Sequence, residues 1–111
     1  MTTSIPIYQA KAELFRTLGH PVRIRVLELL QEEPMPVRDL LADLRIESSS
    51  LSQQLAVLRR SGLVTSTREG TTVIYALSTP EIANLLAAGR GILASVWGDA
   101  EDMLASLRES T

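Results

Sequence analysis

The sequence contains no cysteine, a single histidine and only four aromatic residues, Tyr8, Phe15, Tyr75 and Trp97. Without cysteine there is no disulfide, no thiolate metal site, no thiol redox switch and no cysteine nucleophile. A lone His20 provides no histidine cluster for zinc. With so few aromatics, the core must be built from Leu, Ile, Val and Ala. Long apolar runs are missing too: none approaches the ~20 residues of a membrane-spanning helix. The N-terminus, MTTSIPIYQAK, lacks the apolar stretch of a secretory signal. The expectation is a soluble, cytoplasmic protein with no membrane partner.

What is present suffices for one small domain over residues 1–111. Hydrophobic residues make up 45% of the chain, too many for a disordered segment. Net charge is −2, but its distribution says more than its sum. Residues 1–47 are nearly balanced, with six basic and seven acidic groups. Residues 69–111 carry two basic and six acidic groups. Between them, residues 48–68 hold three arginines and no acid at all. That acid-free stretch opens with SSSLSQQL, a cluster of small hydrogen-bonding groups.

The spacing of apolar residues predicts four helices, a hairpin and a long final helix. The first helix covers about 8–18, with Leu14, Phe15 and Leu18 on one face. Gly19-His20-Pro21 breaks it, and Pro21 suits the first turn of a second helix. That helix carries Val22, Val26, Leu27, Leu29 and Leu30 and stops at Pro34 and Pro36. A short third helix spans VRDLLADL. In the fourth, Ser48–Arg60, Leu51, Leu55 and Leu58 form one core-facing stripe. Ser49, Ser50, Gln53, Val57 and Arg60 project roughly the other way. Ser48 or Ser49 is the expected N-cap, and Gly62 the expected stop. Val64–Arg68 and Thr72–Leu77 are rich in β-branched residues around Glu69-Gly70, a hairpin signal. The last helix, about 80–107, starts after Thr79 or Ser78 as cap, and Gly98 is a candidate break in it.

This order predicts a mainly α fold with a β-hairpin wing, the winged helix-turn-helix arrangement. In such a module the outer helix enters the DNA major groove. Serine hydroxyls donate or accept there, Gln binds adenine through two hydrogen bonds, and Arg binds guanine likewise. A carboxylate would be repelled by phosphate, so the acid-free stretch acquires a mechanism. A merely solvated polar face is the other reading of the same composition. Arg68 and Thr71 would sit near the wing tip, within reach of phosphates, unless this is an ordinary polar turn. Arg60 faces outward as a phosphate candidate. Arg59 lies nearer the apolar stripe, where a structural role is equally open.

Two longer patterns add a family resemblance. Phe15-x-x-Leu18-Gly19-His20-Pro21-x-Arg23 is followed by Ile24-x-x-Leu27-x-Leu29-Leu30. Later come Leu51-Ser52-Gln53-Gln54-Leu55-x-x-Leu58-Arg59-x-x-Gly62-Leu63-Val64 and Gly70-x-x-Val73-x-Tyr75-x-Leu77. Together they resemble the ArsR/SmtB family of bacterial transcriptional repressors, over roughly residues 10–95. The resemblance implies a homodimer built on the first and last helices, with two winged units on a palindromic operator in double-stranded DNA. It implies that Ser48, Ser50, Ser52, Gln53 and Gln54 face DNA. Combined with the helix-face reading, Ser49, Ser50, Ser52, Gln53 and Gln54 are the expected base readers, with Arg60, Arg68 and Thr71 on the backbone. Family members commonly have histidines at the positions of Gln53 and Gln54, and serine at Glu47. Their operator sequences therefore do not transfer.

The family's sensor sites do not carry over. Where members place thiolates in the third helix, this chain has Pro36 and Arg38. Where others use Asp and His on the last helix, it offers Glu81 and no histidine. It resembles a cysteine-free member with no metal ligand set, no cofactor and an unknown effector. His20 reads as a cap or turn residue ahead of Pro21, with a pH-sensing role as the rarer alternative. Asp99, Glu101 and Asp102 read as a solvated face before a weak site for a hard cation. Trp97 reads as a packing residue, at a dimer interface or a pocket wall. No nucleophile–base pair, carboxylate pair or phosphate-binding glycine loop stands out, so no enzyme is expected. A second function remains: a winged helix that binds a protein rather than specific DNA, its acidic tail engaging a basic partner.

A continuous final helix would be roughly 40 Å long. An apolar stripe outrunning a core of about seventy residues meets another chain. Sedimentation at micromolar concentration is expected to show a dimer; a clean monomer would contradict the long-helix argument.

Overall fold

The structure, a computed structural model, describes residues 4–98 and 105–108. The chain divides into two compact units, one ending at Pro80 and one beginning at Glu81.

The first unit opens with α1 (Ile7–Leu18) and α2 (Pro21–Glu32). His20 is the N-cap of α2, extended at φ −143° and ψ 124°, and its Nδ1 accepts from the Val22 amide at 3.2 Å. Pro21 follows at the first helical position, where no amide hydrogen is needed. Val26, Leu27, Leu29 and Leu30 of α2 are buried. Leu18 is buried as expected, but Phe15 is 54% exposed and does not share its environment.

Glu33 is extended, as a residue before proline prefers. Met35–Pro36 then form β1, which the sequence reading took only for a helix stop. A two-residue strand has no readable alternation, and proline argues against a central strand. An edge position resolves the conflict. β1 pairs with Tyr75 and Ile74 of β3 (Thr72–Leu77), and β2 (Val64–Glu69) lies on β3's other side. The antiparallel order is β1-β3-β2, so the wing is a three-stranded sheet rather than a bare hairpin.

Between the edge strand and the wing lie α3 (Val37–Leu44) and α4 (Ser48–Arg60). Arg45 turns the chain between them in the left-handed region, φ 56° and ψ 45°, and its amide reaches the Leu41 carbonyl. α2 is the hub of this unit, packing on α1, α3, α4 and β3. The residues with no exposed surface are Val26, Leu27, Leu40, Leu51 and Leu58. Aliphatic residues thus build this core, as an aromatic-poor sequence requires.

Two local expectations need correction. Neither Ser48 nor Ser49 caps α4; the N-cap is Glu47, and no side chain bonds to the first-turn amides. Glu47 is the extended residue at φ −62° and ψ 141°, so Ser48 is already in the helix. The wing turn is Gly70-Thr71, one residue later than expected, because Glu69 still pairs with Thr72. Gly70 has φ +65° and Thr71 does not have positive φ, the sign pattern of a type II′ hairpin turn.

Gly62 ends α4 as anticipated, at φ +77°. Its amide bonds to the Arg59 carbonyl at 3.0 Å, and the Leu63 amide bonds to the Leu58 carbonyl at 3.0 Å. This pair is the Schellman motif, and buried Leu58 and Leu63 are its usual apolar partners. It turns the chain from the end of α4 straight into β2.

The second unit contains α5 (Glu81–Val96). The last helix expected over about 80–107 therefore stops eleven residues short of Leu107. Gly98 follows at φ +71°, a conformation glycine adopts without strain. Residues 105–108 are helical again. Met103, Leu104 and the acidic residues Asp99, Glu101 and Asp102 lie outside the described residues. At 1.5 Å per residue α5 is about 24 Å long, not 40.

Urea unfolding tests the core and the stop separately. Leu58→Ala empties a fully enclosed site and is expected to lower stability by about 2–5 kcal/mol. Gly62→Ala meets no atom within 4 Å, so its expected loss of about 1–2 kcal/mol is backbone strain alone. A neutral Gly62→Ala would contradict the left-handed stop.

Candidate nucleic-acid interface

α4 is positioned by its buried stripe. With Leu51, Leu55 and Leu58 enclosed, the helix can rotate no further, and every other side chain has a fixed direction. Ser49, Gln53 and Arg60 fall diametrically opposite the stripe, and all three are exposed. Ser48, Ser50 and Ser52 are exposed as well. None of the four serines makes a side-chain hydrogen bond among the described residues. The first-turn amides also lack a side-chain acceptor, and the positive end of the helix dipole lies there. An anion meeting this end finds donors already in place.

The two flanks of α4 differ. One turns toward β3, where Ser52, Ala56, Arg59 and Arg60 line an open cleft of about 490 Å³ with Val37 and Tyr75. Arg59, left open by the sequence, is exposed at this cleft rather than buried at the stripe's edge. The other flank turns toward α2, and there Gln54 departs from expectation. Gln54 is half-buried, and its Oε1 accepts from Arg23 Nη1 at 2.9 Å. Arginine has no acceptor, so the Gln54 carbonyl must face it. The two-bond contact to adenine needs that same carbonyl. In this conformation Arg23 holds one of that carbonyl's two lone pairs and sets the direction of the amide.

The wing supplies a second element. Arg68 pairs with Val73 across the hairpin and is exposed, as is Thr71 in the turn. Side chains alternate along a strand, so Arg68 shares its face with Ser66 and buried Val64. Glu69 points to the opposite face. The carboxylate next in sequence is thus separated from Arg68 by the sheet itself.

Ion pairing sorts the arginines. Arg16 pairs with Glu13, Arg25 with Glu28 and Asp43, and Arg38 with Asp39. Arg23, Arg45, Arg59, Arg60, Arg68 and Arg90 have no ion pair among the described residues, and of these Arg59 and Arg60 are on α4 and Arg68 is on the wing. Arg45, at the turn before α4, was not singled out by the sequence reading. The short turn between α3 and α4 places it beside the Ser48 end of α4. Among the described residues no cluster of His, Asp and Glu could hold a metal ion.

A sequence profile of the arsR family of bacterial regulatory proteins matches residues 20–66, from the cap of α2 into β2. A helix-turn-helix transcriptional regulator of Mycobacterium tuberculosis, Rv0081, is 52% identical over 106 residues, covering 95% of this chain and 93% of the relative.

The chain belongs to the ArsR family.

The crystal structure of Rv0081 superposes with a TM-score of 0.79 at 54% identity, over 86% of this chain and 97% of that one. The transcriptional repressor BigR from Xylella fastidiosa gives a TM-score of 0.70 at 35% identity, over 80% and 87% of the two chains. The transcriptional activator HlyU of Vibrio cholerae is 36% identical over 73 residues, 66% of this chain and 68% of the relative. Membership and fold together make this ArsR-family chain a DNA-binding transcriptional regulator with a winged helix-turn-helix; the family is one of regulators rather than enzymes. Among the described residues no helix is long and apolar enough to cross a membrane.

Proposed function

We propose that this chain is a homodimeric repressor that acts in the cytoplasm on a palindromic operator. Each subunit lays α4 in a major groove, with the two helices about 34 Å apart. The observation that carries the reading is the outward row Ser49, Gln53 and Arg60 on α4, with no carboxylate between Glu47 and Glu69. Ser49, Ser50, Ser52 and Gln53 read base edges. Arg59, Arg60, Arg68 and Thr71 hold phosphates, and Ser48 lies at the helix end where amides face an anion. Gln54, half-buried and held by Arg23, is withdrawn from the base readers. Arg59 is added because it is exposed and unpaired.

Exposed apolar side chains support the dimer. Ile7, Tyr8 and Phe15 of α1 are 71%, 69% and 54% exposed. On α5, Ile92 and Val96 are 60% and 72% exposed, with Leu93 and neighbouring Trp97 also exposed. We assign both helices to the subunit interface. Burial there removes apolar surface that a monomer would leave in water.

Mobility-shift titration against DNA from the chain's own upstream region tests the reading, and loss of expression from a reporter carrying that DNA tests repression. Activation of the reporter would assign the opposite sign; no shift, with a stable protein partner captured instead, would favour a protein-interaction module. Operator affinity is expected to fall steeply with salt as phosphate contacts release counterions, and Arg60→Ala, which removes one contact from each subunit, to reduce the magnitude of the log–log slope by about 2 per dimer. A slope equal to that of the unsubstituted chain would remove Arg60 from the phosphate contacts. Gln53→Ala is expected to cost about 1–3 kcal/mol per half-site and to relax preference at one base pair in each half. Equal losses on all duplexes would reassign Gln53 to the backbone.

A further inference from the structure

Arg23 sits in α2 and makes two hydrogen bonds that have nothing to do with its own helix. Its Nε donates to the Thr17 carbonyl of α1 at 2.6 Å, and its Nη1 donates to Gln54 Oε1 of α4 at 2.9 Å. Thr17 lies in the last turn of α1, where carbonyls lack a helical partner and the negative end of the dipole attracts a cation. Gln54 lies on the flank of the outer helix, between exposed Gln53 and buried Leu55. One planar guanidinium therefore joins three helices, and its fork fixes the angle between the two bonds.

We propose that Arg23 is a positioning residue for DNA reading: it sets α4 against both α1 and α2 and fixes the direction of the Gln54 side-chain amide. The proposal rests on the DNA-binding reading above. The apolar stripe of α4 fixes the helix's rotation, but leucines slide along α2 more readily than a directed hydrogen bond stretches. Arg23 supplies the directed term. Held by Arg23 through one carbonyl lone pair, Gln54 keeps its amide donors for a phosphate oxygen or a base acceptor. Because the same guanidinium holds the end of α1, a shift of α1 is felt at α4.

The test compares the full chain with Arg23→Met, Arg23→Lys, Gln54→Met and the double variant Arg23→Met/Gln54→Met. Each is titrated with a duplex selected from randomised DNA by the unsubstituted chain, and with a random-sequence duplex. Arg23→Met is expected to lower the selected-to-random affinity ratio about tenfold while random-duplex affinity stays within about twofold. The double variant is expected to be no worse than the poorer single variant, because both break one link. Lysine has a single nitrogen and cannot occupy the Nε and Nη1 positions together, so Arg23→Lys should fall between. A loss of general stability would weaken both duplexes equally and leave the ratio unchanged, which overturns the proposal. Multiplicative losses in the double variant overturn it too.

A second readout needs no DNA. In 15N-correlated spectra, Arg23→Met should move the Gln54 side-chain amide signals and the Leu18 backbone nitrogen, which shares its peptide bond with the Thr17 carbonyl. Unmoved signals refute the clamp. If the unsubstituted chain binds no duplex selectively, the DNA reading fails, and these spectra alone decide whether Arg23 joins the helices.

Discussion

Leu51, Leu55 and Leu58 must all leave water, and they lie on one side of one helix. The rest of the arrangement depends on that constraint. Their burial fixes the rotation of α4 and turns Ser49, Gln53 and Arg60 outward. A fully buried leucine contributes roughly 1.5–3 kcal/mol relative to an exposed one. Three of them outweigh anything the exposed serines and arginines contribute to folding. The surface row is therefore free to be chosen for a partner, since the core has already determined the pose.

The ends of α4 convert that pose into an interface. At its start, Glu47 caps through its backbone only, which leaves the first-turn amides and the serine hydroxyls without side-chain partners. At its end, the Schellman turn at Gly62 sends the chain directly into β2, so the wing begins four residues after Arg60. β1 pins the far edge of β3. Exposed, unpaired arginines add little to stability. Held on these rigid elements, they gain value only when a polyanion arrives.

Arg23 adds direction to what the leucines hold by area. Apolar burial is non-directional. A forked guanidinium is not, and its two acceptors belong to different helices. Its contact with Gln54 also separates two residues that look alike in the sequence, where Gln54 is one of two adjacent glutamines on a polar helix. In the structure Gln53 is exposed, and Gln54 is half-buried and bonded to Arg23.

Helix boundaries, the stop at Gly62 and the hairpin were legible because each depends on neighbours within a few residues. Spacing of apolar side chains, proline geometry and glycine's access to positive φ are local rules. The outward direction of Ser49, Gln53 and Arg60 follows from the same spacing, as does the acid-free stretch. β1 was not legible, since two residues carry no period and Pro36 argues against a strand. Whether the last helix runs through Gly98 stayed open in the sequence, because its apolar spacing continues on both sides of that glycine; the backbone ends α5 at Val96. The link from Arg23 to Gln54 spans 31 positions and leaves no local trace. The sequence by itself determined the elements, their buried faces and the charge around them, because short-range sterics and burial settle those. Only the tertiary structure decided which polar groups on α4 are free to meet DNA, because that depends on what other helices bring within hydrogen-bonding distance.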